Sequence, residues 1–402
     1  MTGAEFLKRD TPPVLLTLVM MTGASVLVLN AFIPSLPTIA EEFGAEYAFI
    51  QLAVPGYLAA TALIQLIIGP LSDRYGRRPI LLFGFAWFIA ASIGCAVAPD
   101  EDVFMMFRML QCTSAAGMVL SRTIVRDVLP EDEAASMIGY MAAAMAIVPT
   151  LAPLYGGAME EFFGWRATFW SYAVIGVGLV ALIWMDAGET NQNKTASFAA
   201  QFRAYPDLLR ARRFWGYTLT AGFAAGSFFA LLGGGPFVAR EIYGLSPQMT
   251  GVAIGFISVG YLMGNLVTGR LARRLGVNRM MMIGCASATT GMGVATLLVF
   301  LGYQSPYIVF GFPFFIGFGN GMTMPTATTG LISVRPKLAG SASGLGGSLM
   351  IGFGAALSAA TGALITVESG PLPLTAMMWL SALVSLFAAV YVIRRAKAVG
   401  AE

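Results

Sequence analysis

Long apolar runs alternate with short polar loops along almost the whole chain. A bilayer core needs about 20 apolar residues per helix. Twelve runs of that kind lie at 13–35, 48–69, 79–98, 103–124, 134–158, 167–185, 214–238, 248–269, 280–301, 305–332, 341–366 and 372–393. The pattern predicts an all-α membrane protein with twelve transmembrane helices. An even number of spans returns both termini to the same side of the membrane.

A polar loop near the start of the chain recurs, in weaker form, half a chain later. The loop 69–76 has glycine at both ends and leucine at its third position, and the loop 269–276 repeats these three features. A repeat of half-chain length in an apolar protein is typical of transporters built from two similar bundles. We therefore predict two pseudo-symmetric six-helix bundles, at 13–185 and 214–393. A linker at 186–213 joins them, and the tails are 1–12 and 394–402.

Composition excludes most soluble classes. The 402 residues are 57% hydrophobic and 11% charged, whereas an average soluble domain has about 25% charged residues. The chain has no histidine, which is the commonest metal ligand and the commonest proton carrier near neutral pH. The three cysteines each fall in an apolar run and predict no disulfide framework. The N-terminus lacks the features of a cleaved signal peptide, so we expect the first span to be retained.

Basic residues predict the orientation of the chain. All the lysines and arginines except Arg108, Arg166 and Arg240 lie in the two tails, in every second loop or at the ends of the adjoining helices. The remaining loops are acidic and carry Glu41, Glu42, Glu46, Asp100, Glu101, Asp102, Glu160 and Glu161. The positive-inside rule then places both termini and the loop 186–213 in the cytoplasm of a multi-pass protein.

The central loop 186–213 has an amphipathic pattern. Phe198, Phe202, Tyr205 and Leu209 recur at helical spacing among several arginines. This predicts a short helix on the inner leaflet. The alternative is a flexible tether whose aromatic side chains contact nothing.

The motifs at these positions resemble a known family. The loop Gly69–Arg78 is similar to the signature between the second and third helices of the major facilitator superfamily, and Arg108-x-x-Gln111 resembles its fourth-helix arginine motif. The segment 149–157 resembles the proline- and glycine-rich fifth helix of drug/proton antiporters. Three further matches resemble the Bcr/CflA branch of twelve-helix multidrug exporters, namely Pro34-x-Leu-Pro37, Gln65 and Arg122-x-x-x-Arg126-Asp127.

This resemblance implies a transporter whose two bundles rock around a central cavity. Asp73 is then expected to interact with the start of the eleventh span in the other half, close to Gly344. The alternative is that the loop arginines only set the topology. The residues that the resemblance assigns to gating and switching are Gly69, Asp73, Arg74, Gly76, Arg77, Arg126, Asp127, Pro149, Pro153, Gly156 and Gly157.

Polar and aromatic residues inside the spans are candidates for the cavity wall. Arg108 is the most informative, because an arginine inside a span usually faces a polar interior or a partner. Snorkelling to the outer surface is the alternative, and Arg122 is expected to be structural. The predicted substrate-binding residues are Asn30, Tyr57, Arg108, Gln111, Phe228, Tyr261, Asn265 and Asn320.

The first span departs from the family pattern in one respect. The Bcr/CflA branch usually has an aspartate four residues before the first of the two prolines, and this chain has Asn30 there. An amide does not take up or release a proton, so the usual proton-coupling residue is missing.

The leading hypothesis is an exporter of small amphipathic molecules in the bacterial inner membrane, driven by the proton gradient and without a cofactor. An importer of a siderophore or another organic anion, and a transporter not coupled to protons, remain alternatives. An enzyme is not expected, since no metal-ligand cluster and no nucleophile–base pair lies in mid-membrane. The expected partners are a small-molecule substrate and the bilayer, with no nucleic acid, and the protein is expected to be a monomer.

Overall fold

The computed structural model describes residues 6–9, 11–129, 137–138, 141, 145, 147–191, 205–335 and 338–398. Every regular element in these ranges is helical. We number the long helical elements of the described chain α1–α12. Their bounds are α1 Leu15–Phe43, α2 Tyr47–Tyr75, α3 Arg77–Ala96, α4 Glu101–Val128, α5 Val148–Phe163, α6 Trp165–Asp186, α7 Arg212–Ile242, α8 Pro247–Leu275, α9 Val277–Phe300, α10 Pro306–Ser333, α11 Ala339–Leu364 and α12 Leu372–Ala398.

Eleven of these elements are long and apolar enough to cross a membrane. The exception is α5, whose described part is 16 residues long. The predicted fifth span begins at residue 134, and most of its first half lies outside the described residues. The structure therefore supports an all-helical membrane protein, while the count of twelve spans stays a prediction.

Several elements change helix type along their length. In α1 the helix Leu15–Asn30 is followed by a 3-10 turn at Ile33–Ser35 and a short helix at Leu36–Phe43. A 3-10 turn at Gln111–Ser114 divides α4, and a π-helical turn at Val238–Ile242 ends α7. Proline removes a backbone donor, and Pro34 lies in the 3-10 turn that follows the break in α1.

The two copies of the repeated loop have the same backbone geometry. Gly76 ends α2 with φ 104° and ψ 155°, and Gly276 ends α8 with φ 80° and ψ 157°. A side chain at this positive φ is strained, so glycine is required. The repeat seen in the sequence therefore encodes the same tight connection between two helices in each half.

Most packing occurs within each half of the chain. In the first half α3 packs on α6 and α1 packs on α4, and in the second half α7 packs on α10, α11 and α12. The most extensive contacts between the halves are those of α2 with α11 and of α5 with α8. We call the end with loops 70–79 and 270–279 the basic end, and the opposite end the acidic end.

The halves meet closely at the acidic end. Gln51 of α2 donates a hydrogen bond to the carbonyl of Gly233 in α7. The Glu161 carboxylate of α5 accepts a hydrogen bond from the backbone N–H of Gln248 at 3.2 Å. Glu160 lies 4.0 Å from Arg240 of α7. These contacts close the acidic end with polar bonds between the halves.

At the basic end there is more space around α11. A methyl group added at Gly344 or Gly347 meets no atom of the described residues within 4 Å. Of the predicted linker helix, Phe198 and Phe202 lie outside the described residues, and residues 205–209 are helical. The buried side chain in this stretch is Leu208, whereas the predicted Leu209 is 40% exposed.

Candidate functional site

Arg108 lies in a closed pocket inside the first half. Its side chain is 0% exposed. One terminal nitrogen donates to Oε1 of Gln111 at 2.6 Å, and the other donates to the carbonyl of Val28 in α1 at 3.1 Å. The rings of Phe32 and Tyr57 lie 3.9 and 4.2 Å from the guanidinium carbon. Cation–π contacts of this kind stabilise a desolvated charge.

The partners of Arg108 are themselves fixed by hydrogen bonds. The Gln111 amide donates to the hydroxyl of Ser92 in α3 at 2.9 Å. The Tyr57 hydroxyl lies 3.0 Å from the hydroxyl of Ser114. The network therefore joins α1, α2, α3 and α4, and it leaves Arg108 no direct opening to solvent. Among the described residues no carboxylate forms an ion pair with it.

Asn30 lies at the end of the first helical part of α1. It is 1% exposed, and its amide nitrogen donates to the carbonyl of Val26 at 2.8 Å. Its Oδ1 atom is buried and has no hydrogen-bond partner among the described residues. The usual acidic position thus carries an amide with one unused acceptor.

Arg122 lies on the same helix as Arg108 but in a different environment. Its side chain is exposed to solvent although helices surround it, and it interacts electrostatically with Arg126 one turn later and with Tyr261 of α8. Within the described chain its guanidinium has no ion pair. Arg122 therefore places an unpaired positive charge between the two halves.

Tyr261 and Asn265 belong to α8, in the other half of the chain from Arg122. We call these two residues the α8 wall. Both side chains are partly exposed, and the Asn265 amide donates to the carbonyl of Tyr261 at 2.8 Å. Residues four apart lie on the same face of a helix. The structure thus brings together Tyr261 and Asn265, which the sequence predicted, with Arg122, which it did not assign to binding.

The remaining predicted binding residues lie in the second half. Asn320 of α10 is buried and donates to the carbonyl of Ala224 in α7 at 2.9 Å. It lies beside Cys285 and Ser385 in a packed region that has no room for a water molecule. Phe228 is partly exposed, and its ring lies 5.6 Å from that of Phe229. The predicted set therefore separates into the Arg108 pocket, the α8 wall and the neighbourhood of Asn320.

A charge cluster occupies the basic end of the first half. Arg77 donates to Oδ2 of Asp127 at 2.9 Å, to the Ser72 hydroxyl at 2.6 Å and to Asp73. The structure brings Asp73, Arg77 and Asp127 together as the sequence suggested, and it leaves Arg126 exposed. Here Asp73 is paired within its own half.

The other predicted loop residues shape this turn. Arg74 is exposed, and its guanidinium carbon lies 5.3 Å from the ring centre of Tyr75. Gly69 has open space around it. Gly76 allows close approach of Glu189, since an added methyl group there collides with the Glu189 carboxylate.

The start of the central linker contributes two residues to the cluster. The Glu189 carboxylate accepts the backbone N–H of Arg77 at 2.9 Å, at the beginning of α3, where negative charge is favourable. Asn191 donates to the carbonyl of Asp73 at 2.8 Å. Neither residue is predicted from the sequence, because spacing along the chain gives no sign that the linker folds back over the loop.

The proline- and glycine-rich segment of α5 makes the close contacts that it predicts. A methyl group at Gly156 collides with the backbone of Ala31 in α1, and one at Gly157 with that of Pro247 in α8. The carbonyl of Pro153 takes the space beside Gly251. Pro149 lies in the first turn of the described helix. This segment therefore lies at the interface between the halves.

Comparison with known proteins places this arrangement in a family. Residues 15–359 match the family described as Major Facilitator Superfamily. A solved structure, of a D-xylose-proton symporter, superposes with a TM-score of 0.73 and 15% identity over 94% of this chain and 96% of the other. At that identity the likeness concerns the fold alone.

Curated relatives carry more specific names. An uncharacterized MFS-type transporter of Bacillus subtilis is 32% identical over 90% of each chain. A chloramphenicol resistance protein of Pseudomonas aeruginosa is 28% identical over 81% of this chain and 79% of its own. A bicyclomycin resistance protein homolog of Haemophilus influenzae is 25% identical over 92% and 93%. The chain is therefore a membrane transporter of the major facilitator superfamily, in its drug/proton antiporter class, and not an enzyme.

Proposed function

We propose that this transporter exports small amphipathic organic molecules across the bacterial inner membrane by alternating access, using the proton gradient. Twelve spans in two six-helix halves carry out the exchange, with the basic end and both termini in the cytoplasm. The names of the relatives support export of antibiotics. The distribution of basic residues supports the orientation.

The difference between the two ends of the interface carries this proposal. At the acidic end the halves are joined by polar bonds such as that from Gln51 to Gly233. Toward the basic end Arg122 is exposed between α4 and α8. A transporter whose interface is closed at one end and accessible from the other is in one of the two states that alternating access requires.

Asp73 has a different partner in each state under this proposal. In the state described it is held by Arg77. In the opposite state the carboxylate leaves Arg77 and interacts with the start of α11. The arrangement explains why only the first copy of the repeat has a carboxylate, since Arg273 occupies the equivalent position in the second copy.

Transport into inverted membrane vesicles tests the proposal. Uptake of labelled chloramphenicol and bicyclomycin is measured with the vesicle interior made acidic. We expect uptake to follow the pH gradient and to stop when a protonophore collapses it. Uptake that is indifferent to the gradient contradicts proton coupling, and absence of uptake for every compound contradicts export.

The role of Asp73 is tested in the same vesicles. Asp73→Asn is expected to slow uptake at least tenfold while leaving expression and substrate binding unchanged. Asp207→Asn provides a matched control, because Asp207 is exposed in the linker outside the cluster. Equal uptake by the two variants rules out the switching role of Asp73.

A second candidate function is import of an organic anion. The unpaired guanidinium of Arg122 favours it, since a fixed positive charge attracts anionic solutes. Export and import are separated by the direction of the gradient: a proton-coupled importer accumulates the anion in right-side-out vesicles whose exterior is acidic, whereas the exporter accumulates it in inverted vesicles whose interior is acidic. Accumulation that requires an acidic exterior identifies the importer.

A further inference from the structure

Two arginines on the inner part of α4 are not neutralised by the described protein. Arg122 and Arg126 are one turn apart, and both are exposed. Like charges at this spacing on a helix repel each other. An anion between the halves relieves that repulsion.

The nearest carboxylate in sequence is already bound elsewhere. Asp127 accepts from Nε of Arg77 at 2.9 Å and from the Thr190 hydroxyl at 3.4 Å. Its hydrogen bonds are directed toward α3 and the linker. Asp127 is therefore committed to the cluster at the basic end and does not pair with Arg122.

The α8 wall supplies polar groups of the kind that complete an anion site. Tyr261 faces Arg122 closely enough to interact with its charge, and Asn265 lies on the same face of α8. A phenol hydroxyl and an amide nitrogen both donate hydrogen bonds. The guanidinium, which presents several donors in a fork, matches the two oxygens of a carboxylate.

We infer that Arg122, together with Tyr261 and Asn265, binds the anionic group of an amphipathic carboxylate that enters from the basic end. This inference rests on the proposed transport function and narrows its substrate class to organic anions. Arg122 lies six residues before the end of α4, or about 9 Å along the helix. Arg108 does not serve this purpose, since Gln111, Val28 and two aromatic rings enclose it.

Binding of matched pairs of compounds tests the inference. Benzoate, 1-naphthoate and anthracene-9-carboxylate are each compared with the uncharged carboxamide of the same shape. The protein is held in nanodiscs of phosphatidylcholine. We expect the carboxylate to bind more tightly within the pairs, by about tenfold or more, since a charge-assisted hydrogen bond is worth that factor.

Three variants assign the preference to one side chain. Arg122→Gln is expected to remove the preference for carboxylates and to leave carboxamide affinity within twofold. Arg122→Lys is expected to keep part of it. Arg335→Gln, which removes an exposed arginine outside this site, is expected to change nothing. The inference fails if no pair favours the carboxylate, or if the preference survives Arg122→Gln.

A lipid headgroup shares the anionic chemistry, and a second arm separates the two sources. The binding is repeated in nanodiscs containing phosphatidylglycerol. Unchanged naphthoate affinity identifies a soluble anion as the ligand. If phosphatidylglycerol weakens naphthoate binding, and this effect disappears in Arg122→Gln, the lipid headgroup binds at the same site.

The failure of this inference is distinguishable from failure of the transport proposal. Uptake of uncharged chloramphenicol by both the native protein and Arg122→Gln, without any carboxylate preference, contradicts only the anion site. A carboxylate preference without transport of any compound contradicts only the proposed function.

Discussion

Two arginines on α4 occupy opposite kinds of environment. Arg108 is fully buried and bound by Gln111, Val28 and two aromatic rings. Arg122, four turns later, is exposed between the halves and forms no ion pair within the described chain. The first charge joins helices of one half together, whereas the second is available to a ligand.

The comparison shows why a charge inside a span has two different interpretations. Burying a charge costs free energy unless hydrogen bonds and favourable contacts replace water. Arg108 has such replacements from three neighbouring helical segments. Arg122 keeps contact with water instead, so its charge remains able to attract an anion. The two roles lead to opposite expectations for stability and for binding.

The largest effect is expected for Arg108→Ala. The change leaves Gln111 without its partner and opens a cavity beneath Phe32 and Tyr57, so we expect a loss of about 3 kcal/mol of stability. Thermal unfolding of the purified protein measures it. An unchanged unfolding temperature contradicts the structural role of Arg108.

A smaller effect is expected for Ser92→Ala, which removes the acceptor of the Gln111 amide and the hydroxyl that donates to the Phe88 carbonyl of its own helix. The lost bond to Gln111 corresponds to about 1 kcal/mol beyond the loss of the bond within the helix. Ser171→Ala is the matched control, because among the described residues that hydroxyl bonds only to a carbonyl of its own helix, that of Thr168. If both variants unfold alike, the network from Ser92 to Arg108 does not stabilise the fold.

The smallest effect on stability is expected for Arg122→Gln. Exposed substitutions away from packed contacts usually change stability by less than about 0.5 kcal/mol. The measurement is the unfolding of Arg122→Gln in the absence of ligand, with Arg108→Gln measured in parallel for comparison. A destabilisation comparable to that of Arg108→Gln indicates that Arg122 is a structural residue, as the sequence alone suggested.

Much of the fold was predictable because each feature is local in sequence. The length of the apolar runs predicts the helices, and the half-chain repeat predicts the paired turns at Gly76 and Gly276. The proline- and glycine-rich segment at 149–157 predicts close packing, which the structure places against α1 and α8. These inferences need no knowledge of which helices are neighbours.

The environments of single side chains were not predictable in the same way. Arg108 and Arg122 each interrupt an apolar run, and depth along the helix did not show which one is enclosed. The enclosure of Arg108 depends on Phe32 and Tyr57, which belong to other helices. The environment of Arg122 depends on α8, which is more than 100 residues away in sequence.

Water access along α4 tests the contrast most directly. Single cysteines are introduced by Arg122→Cys and by Ser114→Cys, a nearly isosteric change at a fully buried position. The native cysteines are buried, and the unmodified protein gives their background. Labelling by a charged thiol reagent is measured in nanodiscs, which leave both ends accessible. We predict that Arg122→Cys reacts at least tenfold faster than Ser114→Cys, and equal rates would contradict an open anion site between the halves.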